Sequence, residues 1–468
     1  MRPIFAIPEK YFDYKIFLLI SLVIGLSHFD LNLVDDHAWR QSLTLSISKN
    51  LLEYPNPLYP RTVFCCKGEY IIGSEFPFYN MVLALLYKIF GFQHWYGRVV
   101  NLFVTTMGVY YFYRNIERLF NSRLASFAAI FLLSSIYMVF ARKSMPDTFS
   151  ISLVLMAVWY FLSYMDKGKT RFLIFAALLL GLGGLSKFPA YCSLAFLVFP
   201  FFSEDRPKMV MLKIGVGVFL VSIIVSVWYL FWMPHLVETY GNQLVWPTGV
   251  WEGLVQIFND SERGWFRLEV NAFSNRLPFF IGIMGLGIAA YKKDRQLLYT
   301  FLVFTLMYIA FISKAGAVFT DHNYYVVPYL PMLSLLAGYG LYHCIPNRFL
   351  AYVLVTIFYY FGVKSNQEYL KPLDYMKDYP RLTEIVNRFT KKEDKVLINL
   401  GQFNPVGLYF ADRFGWSENN DVMEKTEWMP DFKKYGLKII IVDKDKYPTP
   451  DLPYTKLYED SKFVIFQP

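Results

Sequence analysis

Twelve apolar blocks of roughly 15 to 23 residues, parted by short basic clusters, constrain this chain more than any other feature. They fall near residues 16–34, 77–91, 98–114, 123–141, 145–165, 171–186, 188–202, 210–233, 277–291, 296–313, 324–343 and 348–363. Of the 468 residues, 55% are hydrophobic and 18% charged, against about 25% charged in ordinary soluble domains, so a soluble globule could not hide these blocks. Segments in lipid must pair every backbone N–H and C=O internally, and period-2 alternation is missing, which excludes an outer-membrane-type barrel. The expectation is an all-α polytopic membrane bundle.

Basic residues set the sides. The net charge of +9 is not a nucleic-acid tract: Lys and Arg sit in threes at block ends, as in Arg114/Arg118/Arg123, Lys167/Lys169/Arg171 and Lys292/Lys293/Arg295. They fall on one side if Pro77 to Gly91, about 22 Å long at 1.5 Å per residue, lies in the interface rather than crossing. That gives eleven spanning helices, a cytoplasmic N-terminus and a C-terminus outside. Lys15 to His28 is apolar but no small-residue cleavage site follows, so it reads as a retained first span. Four cysteines make neither a disulfide scaffold nor a metal-ligand spacing.

Residues 1–363 are thus expected to form the membrane domain, with external loops at 35–97 and 234–276. Trp39, Leu43, Ile47 and Leu51 recur every four residues, predicting an amphipathic helix on the membrane surface, with Pro77 to Gly91 as companion and Glu53 to Gly73 as irregular connection. Residues 364–468 change composition. Short apolar runs at Val396 to Leu400, Leu437 to Val442 and Phe463 to Phe466, with a helical pattern from Arg381 to Phe389, predict a small extracytoplasmic α/β domain.

Ionisable residues gather at the external ends of the blocks, where they are costly and tend to be functional. The first block runs into Asp35-Asp36-His37-Ala38-Trp39-Arg40-Gln41, whose carboxylates suit a general base, a metal ligand or a helix cap. Glu75 precedes the second interfacial helix, and Asp147 follows Pro146 at the start of a block. Lys187 stands alone in a short connection, where snorkelling is the structural alternative; Lys314 and the His322/Tyr324/Tyr325 group lie at one rim. Carboxylates suit deprotonation of an acceptor, and cations suit a departing phosphate.

At these residues the chain resembles the GT-C-fold glycosyltransferases that use polyprenyl-phosphate sugars, particularly the protein mannosyltransferase and aminoarabinose transferase relatives. The resemblance covers about 16–363 and rests on the acidic pair, a Glu-x-Pro at Glu75, Asp147 opening a later block, and the His-x-Tyr-Tyr-x-x-x-Pro-x-x-Pro run from His322. Asp35-Asp36-His37-Ala38-Trp39-Arg40-Gln41 is its most specific part.

The resemblance implies an inverting transferase in a bacterial inner membrane, moving a sugar from a polyprenyl-phosphate donor to a lipid, glycan or protein acceptor outside the cytoplasm. Asp35 is then the catalytic base, with Asp36 as its alternative, and Asp147 orients the acceptor or an ion. Glu75, His37, Arg40, Lys187, Lys314, His322, Tyr324 and Tyr325 bind substrate. Phe76 stands where aminoarabinose relatives carry lysine, which leaves that phosphate contact to Lys314, Arg40 or Lys187. Trp246, Trp251 and Trp265 are expected to close over lipid or sugar. A divalent metal ion on Asp35 and Asp147 is the open cofactor. Three rivals stand beside this reading: a lipid-linked glycan ligase or polymerase, for which His235, Arg263 and Arg267 speak; a transporter or flippase, which predicts midplane charges that are scarce here; and a noncatalytic membrane scaffold, for which Asp35 and Asp147 are dispensable.

Overall fold

Asn121, Asp294 and Asn347 each open a helix by accepting a backbone N–H with the side chain, from Leu124 at 3.0 Å, Leu297 at 3.1 Å and Leu350 at 3.1 Å. The three helices so started, Ser122–Ser134, Arg295–Ala315 and Arg348–Asn366, belong to the larger of two units. The computed structural model describes residues 14–27, 29–66, 69–202, 208–244, 247–445, 450 and 452–468. His28 and Trp246 lie outside the described residues. The first unit comprises Met1–Phe29, Arg98–Trp228 and Trp246–Tyr369, the second Asp30–Gly97, Tyr229–Val245 and Leu370–Pro468.

The first unit is helical. Ser122–Ser134 is buried from Leu124 to its end, as expected of a helix apolar on all sides. Pro146–Lys167 is the other central helix, with 89% of its apolar window buried and Thr170–Ser186 packed along it. Lys208–Tyr240 has only 11% of its window buried, so an apolar surface of that size has to face lipid. Small residues allow close helix contact: a Cβ added at Gly285 of Arg276–Tyr291 would meet the Leu336 carbonyl oxygen at 2.3 Å, across the crossing with Leu330–Cys344. Gly285→Leu is therefore expected to destabilise the protein by about 1–3 kcal/mol through overpacking, read as a lower melting temperature in detergent. An unchanged melting temperature would show that this crossing has slack.

The expected count of eleven spans needs correction. Among the described residues, four helices are long and apolar enough to cross a membrane: Pro146–Lys167, Lys208–Tyr240, Arg295–Ala315 and Arg348–Met376. A fifth is gained if Ser261–Asn271 and Arg276–Tyr291, bent by 93°, make one span. Several apolar blocks became short helices, such as Tyr14–Leu26 and Ser122–Ser134; at 13 residues each they reach about 20 Å against a hydrocarbon core of about 30 Å. Tyr96–Leu119 is long, with 24 residues, but carries Arg98, Arg114, Glu117 and Arg118. The block at 188–202 forms tight 3₁₀ turns, and the region 234–276 is largely helical rather than an open loop.

The second unit is built on one mixed sheet. Its strands are β1 (Arg61–Cys66), β2 (Glu69–Gly73), β3 (Asn242–Gln243), β4 (Lys395–Ile398), β5 (Gly415–Ser417), β6 (Leu437–Asp443), β7 (Thr455–Glu459) and β8 (Phe463–Gln467), in the order β3-β2-β1-β5-β4-β6-β8-β7. Parallel pairing of β4 with β5 and β6 requires crossovers, which Val406–Ala411 and the short helices between Asn420 and Lys434 supply. Gly415 is needed where β5 meets β4, because a Cβ there would lie 1.8 Å from the Val396 carbonyl oxygen. The three apolar runs of the C-terminal region are β4, β6 and β8, as the sequence predicts, and Leu382–Asn387 lies inside the predicted helix.

Two expectations fail here. The stretch Glu53 to Gly73 holds the antiparallel pair β1 and β2 rather than irregular chain. The helix Ala38–Glu53 is not a surface helix: Arg40 to Ser48 are buried without a break. Its polar side chains turn back on its own carbonyls, Ser42 to Ala38, Thr44 to Arg40, Ser46 to Leu43 and Ser48 to Thr44, at 2.6 to 2.9 Å. Phe78–Phe90 keeps Met81, Leu85 and Ile89 exposed along one stripe, the face a helix lying in an interface presents to lipid.

Candidate functional site

The acidic pair opens a helix rather than closing one. The first helix stops at Leu26, and Asp35 and Asp36 stand before Ala38–Glu53, at the end where the helix dipole favours negative charge. His37 makes the turn in the left-handed region, at φ 62°, which a non-glycine residue adopts at a cost. Asp35 is 5% exposed, and the Gln41 side-chain amide donates to its Oδ1 at 2.7 Å. Asp36 is more open; its Oδ1 accepts the His37 N–H at 3.0 Å and its Oδ2 lies 3.2 Å from His37 Nε2.

One turn further, Arg40 donates to Glu75 Oε1 from the bend before Phe78–Phe90, and both side chains are buried. Asn80 ties that helix back to Ala38–Glu53 through the Thr44 carbonyl at 2.6 Å and Ser48 Oγ at 3.1 Å. The second unit therefore brings Asp35, Asp36, His37, Arg40 and Glu75 onto two adjoining helix starts.

The first unit assembles the rest. Asp147, in the first turn of Pro146–Lys167 and 3% exposed, accepts from Lys187 Nζ at 2.5 Å through Oδ1, while its Oδ2 is buried without a hydrogen-bond partner. Lys187 also lies over the Tyr324 ring, 5.0 Å from its centroid. Tyr324 stacks on Tyr325 at 4.7 Å, and His322 on Tyr324 at 5.4 Å. Lys187 is thus a partner of Asp147 rather than a snorkelling lysine. Lys314 stands apart: it is exposed and donates to the Thr248 carbonyl at 2.5 Å. Trp251 and Trp265 are exposed, 78% and 59%.

Sequence reasoning passed over two residues beside Asp147. Lys143, 0% exposed, donates to the Tyr369 carbonyl at 3.1 Å. Asn101 donates to the carbonyls of Phe140, Lys143 and Met145 at 2.8, 2.9 and 3.0 Å, and its Oδ1 accepts from Thr148 at 3.1 Å. One buried amide thereby shapes the turn that presents Asp147. No short motif marks it, because its partners are backbone atoms some forty residues on. Asn101→Ala is expected to cost about 1–3 kcal/mol of stability by orphaning those carbonyls, measured by thermal unfolding; a loss within error would mean that water replaces the amide.

No group of three His, Cys, Asp or Glu side chains converges on a metal-holding geometry among the described residues.

Residues 74–232, about a third of the chain, match the family model described as dolichyl-phosphate-mannose-protein mannosyltransferase. A search of the curated proteins gives no match. Among solved structures, ArnT from Cupriavidus metallidurans in the apo state is similar with a TM-score of 0.62 at 13% identity, over 97% of each chain. The same protein bound to undecaprenyl phosphate gives 0.60 at 14%, again over 97% of each chain. The archaeal oligosaccharyltransferase AglB from Archaeoglobus fulgidus, in complex with an inhibitory peptide and a dolichol-phosphate, gives 0.57 at 12%, over 93% of this chain and 70% of that one. The chain has the GT-C fold and is similar to the polyprenyl-phosphate-sugar glycosyltransferases built on it.

Proposed function

We propose that the protein is an integral membrane glycosyltransferase that moves a sugar from a polyprenyl-phosphate donor to a lipid, glycan or protein acceptor on the extracytoplasmic side. The observation that carries this reading is Asp35: a buried carboxylate, oriented by Gln41 at a strained helix start, within the GT-C fold. ArnT in complex with undecaprenyl phosphate supports a polyprenyl phosphate as the leaving group.

In this mechanism Asp35 takes the proton from the acceptor hydroxyl or amine. The acceptor atom bonds to the anomeric carbon as the carbon–phosphate oxygen bond breaks, which inverts configuration. The polyprenyl phosphate leaves as an anion and needs no general acid. Arg40 supplies positive charge for it, fixed beforehand by the Glu75 carboxylate, so that little reorganisation accompanies the reaction. Within the first unit, His322, Tyr324 and Tyr325 form one aromatic stack beside Lys187, a surface of the kind that suits a sugar ring. Arg267 directs its guanidinium to the Thr320 and Asp321 carbonyls, which fits an architectural role better than the phosphate grip a ligase would ask of it.

Mass spectrometry of envelope glycans and lipids, with and without the protein, tests the reading. A glycan or lipid species should lose one sugar residue when the protein is absent, while its polyprenyl-phosphate sugar accumulates. Unchanged profiles in both pools would remove it.

A further inference from the structure

The second unit contains a cavity of about 310 Å³ at the far end of the helix Ala38–Glu53, near the lower bound for small-molecule sites. Lys49 of that helix and Lys392 both line it, as do the rings of Phe92 and Tyr409. Asp412 stands between the lysines. It accepts Lys49 Nζ on Oδ1 at 2.5 Å and pairs with Lys392 through Oδ2. Its backbone is left-handed, at φ 50°, a conformation Asp tolerates better than most residues and one that ends the helix Val406–Ala411. Burial pushes the Asp412 carboxyl up, but the hydrogen bonds from Lys392 and Lys49 outweigh it and hold it below the usual carboxylate range. Asp412 is therefore ionised at neutral pH. Arg413, also in the lining, directs its guanidinium to Asn387, Thr390 and the Asp412 carbonyl, so it stiffens the wall.

Lys49 and Lys392 bracket the Asp412 carboxylate, Glu53 is also in the lining, and the Arg413 guanidinium is spent on the wall. Each lysine ammonium has three donors, and the salt bridge to Asp412 leaves capacity for an anion. Asp412 can accept sugar hydroxyls, and the Phe92 and Tyr409 rings can pack on the apolar face of a pyranose.

We propose that this cavity binds one anionic saccharide unit, a sugar bearing a carboxylate or a phosphate, beside the Lys49–Asp412–Lys392 triad. Its place as a remote subsite for the acceptor rests on the transferase reading; the binding does not. Lys49 lies nine residues beyond Arg40 on one helix, about 14 Å along its axis, so an oligosaccharide anchored at the cavity could extend toward the Asp35 end.

The test is titration of the purified full-length protein in detergent with glucuronate, glucose 6-phosphate and glucose, by calorimetry. At least one anionic sugar is expected to bind at one site, at least tenfold tighter than glucose, and the tighter of the two identifies the charged group. Lys49→Gln and Lys392→Gln should each weaken that binding about tenfold, and Lys392→Arg should restore most of it. Equal binding of all three sugars, no binding, or binding indifferent to both lysines would overturn the proposal. Should the Gln variants fail to fold, acylation footprinting of the unaltered protein decides. The anionic sugar should protect Lys49 and Lys392 from modification but leave Lys433 and Lys434 reactive, and equal reactivity with and without it counts against the site. Asp35→Asn separates the two readings, since it should bind the sugar like the parent protein even where transfer is lost.

Discussion

Asp35→Asn is expected to lower the transfer rate by about 10²- to 10⁴-fold, the range a positioned general base contributes. The amide keeps the shape of the carboxylate, and its oxygen can still accept from Gln41, so the helix start should hold and thermal unfolding should barely move. What is lost is the ability to take a proton. Asp36→Asn should cost far less, because Asp36 is more open to solvent and is engaged with His37. A large loss at Asp36 with little at Asp35 would exchange their roles. Initial rates with saturating donor, alongside melting curves, separate these outcomes.

The second large effect concerns stability. Arg40→Leu is expected to destabilise the protein by about 3–5 kcal/mol, since it leaves the Glu75 carboxyl buried without its partner. Combining it with Glu75→Leu should restore much of the loss, because a well-packed apolar pair avoids the desolvation of two charges. The comparison is made by denaturant or thermal unfolding of the single and double variants. If the double variant is as unstable as the single, the damage comes from lost packing of the Arg40 stem rather than from the orphaned carboxylate.

The helical body and the C-terminal strands were legible for different reasons. Apolar blocks can satisfy their backbone only as helices, and β4, β6 and β8 are apolar runs bounded by polar turns. Helix length was less legible, because a continuous apolar block such as 16–34 does not show where its helix stops, here at Leu26. The helix Ala38–Glu53 misled for a related reason: Ser42, Thr44, Ser46 and Ser48 look solvated in sequence yet satisfy themselves on their own backbone and are buried. Strands β1, β2 and β3 come from segments far from the C-terminal region, and nothing local announces that they extend its sheet.

The candidate site shows the same division. Residue types and their places in the chain singled out Asp35, Asp147 and the His322 to Tyr325 group, because carboxylates, a histidine and tyrosines near block ends are chemically informative. Their partners were not legible. Lys187 meets Asp147 across forty residues, and Arg40 meets Glu75 across thirty-five. Nothing in the sequence sets Lys143 apart from other basic residues, yet it is fully buried.

The most direct test of the account uses purified protein in proteoliposomes with a series of polyprenyl-phosphate sugars and envelope-derived acceptors. Mass spectrometry would follow free polyprenyl phosphate, and NMR the anomeric configuration of the product. The account predicts stoichiometric release of polyprenyl phosphate, a product of inverted configuration, and loss of both in Asp35→Asn. Transfer with retained configuration, or undiminished transfer by Asp35→Asn, would contradict it.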